Sequence, residues 1–281
     1  YRTGTNEIGF ASGGSKVATV NSHGYNGEKL LRTYTFPLVI TSITSTGSNF
    51  TVTTKTPHGV TAGTSSSSSI ITINGTRNYN GEFNLGSGGD GGSVTNEYVF
   101  VVDSTSHNYA TESYGEITLI SYIEINLQDP FGTTSDFTEY RVELTEIQLS
   151  GAADTLSMRF GDGAGTIEVG STYSYGNHGL KSNVVPELHQ STATTSIRVS
   201  TGDVSSLNGI VHLNGFTSSG TKGTARYSTN TQSNLDSSCR IYMGSGMNTT
   251  SSVWESIQFI WGASSTYFTG GSIRVYGCND I

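Results

Sequence analysis

Apolar and polar positions alternate with a period of two along much of the chain. The clearest case is the final stretch, Val253 to Ile281. Ile257, Phe259 and Trp261 fall on one side, Ser256, Gln258 and Ile260 on the other; after a break, Ile273 and Val275 alternate with Arg274 and Tyr276. Such spacing marks a strand with one buried face. The stretch is expected to close the chain as a hairpin, with Trp261 and Ile273 inward and Arg274 outward. Gly270-Gly271 supplies the loose backbone of a turn or bulge between the two strands. Its last strand is then tied into a sheet rather than left as a tail.

The same pattern recurs upstream. Phe137–Leu149 (F-T-E-Y-R-V-E-L-T-E-I-Q-L) runs as one long strand whose inward side changes between Leu144 and Ile147. That switch predicts a bulge at Thr145-Glu146. Tyr122–Leu127 and Thr155–Phe160 read as strands, and Tyr173 and Tyr175 share one face of another. Ser196–Val199, Gly209–Leu213, Gly223–Tyr227 and Arg240–Met243 add four more candidates. Short strands between regular turn signals over 121–281 predict a β-sandwich of jelly-roll type.

Residues 36–120 read as a separate small β module of about five or six strands, among them Phe50–Thr54, Ile70–Thr76 and Glu97–Val102. Pro57-His58-Gly59 and Asn80-Gly81 are its turns. Residues 1–35 look irregular apart from one strand at Lys16–Val20. They read either as an arm that packs on a neighbouring molecule or as a frayed end or edge strand of their own domain. The numbering starts at Tyr1 rather than Met, so either a processed or a truncated product is expected, and the start shows no signal-peptide pattern.

Composition supports an all-β fold. Charged residues are only 13% while glycine reaches 36, so the surface is made of hydroxyls and turns. An aromatic share of 10% argues against a disordered chain. The net charge of -8, with no Lys/Arg cluster, argues against nucleic-acid binding. No apolar run is long enough to insert into a membrane. Cys239 and Cys278 are too few for a disulfide framework; they read as one bridge or as two half-buried thiols.

Candidate chemistry is sparse. His58, His23 and His178 each precede a glycine, and they read as turn residues; His58 has no ligand partner at metal spacing. Glu139, Glu143 and Glu146 are the densest acidic set. Glu139 and Glu143 share the face opposite Tyr140, Val142 and Leu144, so they read as the solvated side of a strand rather than a glycosidase pair. The loop at Asp162 lacks the alternating acids of a calcium loop and reads as a hairpin turn. No nucleophile elbow or phosphate loop is present. No catalytic, cofactor-binding or metal residues are expected, and no cofactor.

Two ordered motif sets add a resemblance. T-P-H-G-V, I-T-I-N-G-T, Y-N-G-E-F and Y-V-F-V-V, over about Val39 to Tyr114, resemble a small β module of bacteriophage virion proteins. Y-R-V-E-L, L-S-M-R-F-G-D-G-A-G and the closing F-T-G-G-S-I-R-V-Y-G, over about Ile123 to Gly277, look like the C-terminal domain of many such proteins. The resemblance implies a non-enzymatic virion structural protein located in the virion, most simply a capsid decoration or cement protein. It implies the major capsid protein or other virion subunits as partners, and a homo-oligomer, a trimer above all. The alternative is a tail fibre, spike or adaptor whose Tyr173–Tyr175 segment meets a host surface glycan. Asn-x-Ser/Thr triplets at Asn49, Asn74 and Asn248 carry no meaning in a phage product.

Overall fold

Glycine, threonine and serine fill this chain where helix formers would be needed, and β-branched and aromatic residues fill the apolar positions. The computed structural model follows that bias, and every described element is a strand. The described residues are 8–12, 15–21, 24–25, 28–62, 68–86, 90–104, 107–128, 137–150, 155–162, 166–181, 186–200, 204–216, 221–233, 239–262 and 266–278.

Three short strands, β1 (Ile8–Ser12), β2 (Ser15–Asn21) and β3 (Gly24–Tyr25), form a small antiparallel sheet. β4 (Glu28–Phe36) then enters the main body. The module follows as β5 (Leu38–Ser45), β6 (Asn49–Thr54), β7 (Ile70–Asn74), β8 (Gly81–Asn84), β9 (Gly92–Asn96), β10 (Val99–Asp103) and β11 (Glu116–Ile120). Next come β12 (Tyr122–Asn126), β13 (Glu139–Leu149), β14 (Leu156–Gly161), β15 (Tyr173–Lys181), β16 (Pro186–Thr194) and β17 (Ile197–Arg198). The chain ends with β18 (Val204–Asn214), β19 (Lys222–Ser233), β20 (Cys239–Ser251), β21 (Ser256–Trp261) and β22 (Phe268–Cys278).

A large sheet runs β16-β15-β20-β19-β18-β13-β22-β11-β5-β6-β10-β9, with β4 also on β22 and β7-β8 attached through β11. A four-stranded sheet, β12-β21-β14-β17, lies against it. The core sits between them. From the large sheet come Tyr140, Val142, Val211, Leu213, Ile273 and Val275; from the small one come Ile123, Ile125, Phe160, Ile257 and Phe259. Phe160 packs edge-on against Tyr173 at 5.6 Å and Trp254 at 5.8 Å. Full burial of side chains of this size stabilises by about 1.5–3 kcal/mol each. The fold is therefore all-β and sandwich-like.

The closing stretch differs from its expectation. Its two strands do not pair with each other: β21 lies between β12 and β14, while β22 lies between β13 and β4. The chain crosses from one sheet to the other, and Trp261 meets Phe268 in the gap, ring centroids 5.2 Å apart. Trp261 and Ile273 are buried and Arg274 is exposed, as the alternation predicts. The other side of β21 is covered too, with Ser256, Gln258 and Ile260 all buried. Gly270 and Gly271 lie inside β22, opposite the irregularity in β13 at Thr145-Glu146. The bulge there is real, and the glycines form its other half rather than a turn.

The start also differs. Residues 28–36 form a regular strand, so the boundary expected at 35/36 falls within β4. Hydrogen bonding to β22 holds it, a long-range partner that local pattern does not show. The module has seven strands, and β16 carries no apolar alternation to reveal it.

Candidate functional site

Two places outside the core gather polar groups. The first is a cleft of about 560 Å³ where the 58–62 segment and the β9–β10 hairpin meet β4, β12 and β21. Gly59 turns the chain with φ +62°, and its carbonyl accepts from Glu124 N at 2.8 Å. A Cβ at Gly59 would lie 2.8 Å from Ile123 Cγ2, so this close approach needs glycine.

His58, only 2% exposed, spans that turn. Its Nδ1 accepts from Val60 N at 2.8 Å, which places the proton on Nε2, facing Asn96 O at 2.9 Å. Burial pushes its pKa down to about 4. This is the turn-capping role expected of it, with both ring nitrogens used.

Glu124 projects from β12 into the same cleft. Ser256 donates its hydroxyl to Oε1 at 2.7 Å and Thr61 donates to Oε2 at 3.2 Å. Burial holds its carboxyl above the usual carboxylate range despite those two hydrogen bonds. Beside it, buried Arg32 donates to Glu97 and to the carbonyls of Gln128 and Asn126. Tyr34 accepts from Asn126 N at 3.3 Å, and burial pushes its phenol well up. The cleft thus fastens the small module to the sandwich through satisfied polar groups. Glu124 is not singled out by its sequence, because a carboxylate between Ile123 and Ile125 reads as the solvated side of a strand.

The second place is the outer face of the large sheet. Register places Leu188, His178, Met243, Ser228 and Ile210 in one row across β16, β15, β20, β19 and β18. The next row holds Leu180, Ile241 and Asn230. Leu188 is 73% exposed, and Leu180, Ile210, Ile241, Met243 and Met247 are also exposed. A groove of about 710 Å³ crosses this face over Gly176 and Ser245, bordered by Tyr175, Gln190, Arg226 and Met247.

The residues weighed from sequence spread apart. Glu139 and Glu143 do lie on the half-exposed side of β13. His212 Nδ1 donates to Glu139 at 3.0 Å, and Tyr276 donates to Glu143 at 3.1 Å. Arg141 stacks over Tyr276 at 4.2 Å and also pairs with Glu143 and Glu28. Glu146 is exposed. Asp162 exchanges hydrogen bonds with Thr166 at 3.1 Å, as a hairpin turn does. Tyr173 cannot meet a glycan: it is fully buried, its hydroxyl donating to Glu168 O and accepting from Phe160 N. Tyr175 is half-buried and reaches the groove. His178 is exposed; His23 lies outside the described residues. Cys239 and Cys278 are both free thiols.

Among the described residues, no three His, Cys, Asp or Glu side chains are placed to hold a metal ion. No family model, curated relative or solved structure matches the chain.

Proposed function

We propose that the chain is a non-enzymatic structural protein of a bacteriophage virion, a decoration or cement protein on the head surface that stabilises the shell through subunit contacts. The observation that carries the reading is the outer face of β15, β16, β19 and β20. Six large apolar side chains stand exposed on or beside these strands, from Leu180 to Met247. An extended exposed apolar surface on a folded protein marks a contact site. The order of the P-H-G, Y-N-G and closing F-T-G-G-S-I-R-V motifs supports the same reading. Its partners are the major capsid protein or other virion subunits.

A tail fibre, spike or adaptor that binds the host is the second reading, favoured by the groove bordered by Tyr175, Gln190 and Arg226. Amide, hydroxyl and guanidinium groups around an apolar floor suit a saccharide. Imaging of purified particles carrying a tagged copy tests both. Density repeated over the head supports decoration, and density confined to the tail supports the second reading. Block of adsorption by the purified protein strengthens the latter. Absence from particles overturns both.

A further inference from the structure

The bonds that fasten the small module to the sandwich leave Glu124 without a counter-charge. Glu124 is half-buried and lines the cleft. Its two oxygens accept from Ser256 and Thr61, which are 1% and 3% exposed. Hydroxyl protons solvate a carboxylate without neutralising it. Among the described residues, no Lys, Arg or His side chain pairs with Glu124. The two basic residues nearby are used elsewhere. Arg32, its side chain 5% exposed, pairs with Glu97 and donates to the carbonyls of Asn126 and Gln128. His58 has both ring nitrogens engaged, and its pKa of about 4 leaves it uncharged at neutral pH.

The oxygens around Glu124 have acceptor capacity to spare. An ionised carboxylate has room for about four hydrogen bonds, and Glu124 receives only those of Ser256 and Thr61. Those two hydroxyls spend their protons on it, so each can offer a further neighbour only lone pairs. Buried Tyr34 lines the same cleft. Its hydroxyl accepts one long bond, from Asn126 N at 3.3 Å, and none of the described residues accepts its proton. The fold therefore under-uses this hydroxyl. Val60, Ala62 and Val94 supply an aliphatic wall, and the volume of about 560 Å³ falls in the range of small-molecule sites.

A partly desolvated carboxylate, acceptor oxygens beside it and an aliphatic wall select a ligand. An anion is repelled by Glu124, and a neutral hydroxylated ligand leaves its charge unbalanced. An ammonium on a methylene stem brings three donors, no acceptor and the missing positive charge. We infer that the cleft binds a primary alkylammonium, its N–H groups donating to Glu124 and the neighbouring hydroxyl oxygens and its methylenes lying along Val60, Ala62 and Val94. Two sources present that group: the side chain of a lysine on a partner protein, and a free aliphatic polyamine. Binding here is independent of the outer face of the large sheet.

Titration calorimetry of the purified full chain at neutral pH tests it with Nα-acetyl-lysine amide, its Nε-acetylated counterpart, which has the same stem and no charge, and spermidine. Saturable binding of an amine is expected, with a Kd at or below about 1 mM. Nε-acetylation should weaken binding on the order of tenfold or more. Glu124→Gln, which keeps a partner for Ser256 and Thr61, should weaken it on the order of tenfold or more with circular dichroism unchanged. The His58 ring lines the cleft, so its NMR signals should shift as the amine is added. Tighter binding of the lysine amide identifies a partner's side chain as the source, tighter binding of spermidine identifies a free polyamine, and both uphold the site. No saturation by either amine below about 10 mM, equal binding of the acetylated probe, undiminished binding by Glu124→Gln, or binding that leaves the His58 signals unmoved overturns the inference.

Discussion

Glu146 and Gly271 oppose each other across β13 and β22, both in left-handed backbone, with φ 50° and 99°. A Cβ at Gly271 would stand 2.4 Å from the carbonyl oxygen of Glu146. Gly271→Ala adds both a strained φ and a backbone clash, so a loss of about 3 kcal/mol is expected. Glu146 is exposed, and its amide, which donates to Asn208 Oδ1 at 2.8 Å, survives substitution. Glu146→Gly should therefore stabilise by about 1 kcal/mol through relief of the left-handed conformation. Urea unfolding reads both, and a neutral Gly271→Ala would mean the bulge has another geometry.

Glu112 ties the small module together from within a loop. It is 6% exposed and accepts from Arg77 N at 2.7 Å, Asn78 N at 3.0 Å and Asn78 Nδ2 at 2.9 Å. Glu112→Ala strands two backbone amides away from their partner. Each costs about 1–3 kcal/mol, so a total loss of about 3 kcal/mol is expected, with Glu112→Gln well under half of that. Thermal melts of the two variants side by side test the order.

The two thiols should behave differently. Cys239 is exposed, whereas burial pushes the Cys278 thiol up to about 11. A thiolate is the reacting species, so the half-buried Cys278 is slowed by partial cover and by protonation. Maleimide at neutral pH should modify Cys239 first and Cys278 at least about tenfold more slowly until the protein is denatured, read by intact mass. Equal rates would contradict the placement of Cys278 in β22.

Strand existence was legible where one face is buried and the other half-exposed, as in β13. The bulge at Glu146 was legible too, because a change of inward side needs an extra residue. Partnership was not legible. β21 and β22 alternate as a hairpin would, yet the contact of Trp261 with Phe268 spans two sheets. β16 was invisible because its strand shows no apolar alternation and leaves most of its described side chains exposed or half-exposed. In the turn motifs, local chemistry was readable: Asn80 Oδ1 accepts from Thr76 N and Thr76 Oγ1, both at 2.9 Å, within five residues of chain. The Glu124 cleft was not, since its groups come from β4, β12, β21 and the 58–62 segment, and only the fold brings them together.

That cleft makes stability depend on pH through two opposed groups. His58 is depressed from 6.5 to about 4 by burial, so its neutral form favours the folded state. Its contribution is fully present above 6.5 and is lost as pH falls towards 4; the shift corresponds to about 3 kcal/mol. Glu124 is raised by burial, so its neutral form is also favoured. Its contribution is fully present below its ordinary value of 4.5 and is lost as pH rises through the folded one. Acidification therefore weakens the fold through His58 and strengthens it through Glu124. Glu124→Gln keeps a side chain that can bond Ser256 and Thr61 but cannot ionise. It should be more stable than wild type near neutrality, lose that advantage below about pH 4.5, and so show the steeper decline between pH 6.5 and 4. Urea midpoints across that window measure the slopes, and the NMR titration of the His58 ring should centre near 4 in both proteins. A His58 midpoint near 6.5, or parallel slopes for the two proteins, would show that the cleft admits water and that neither group is held as described.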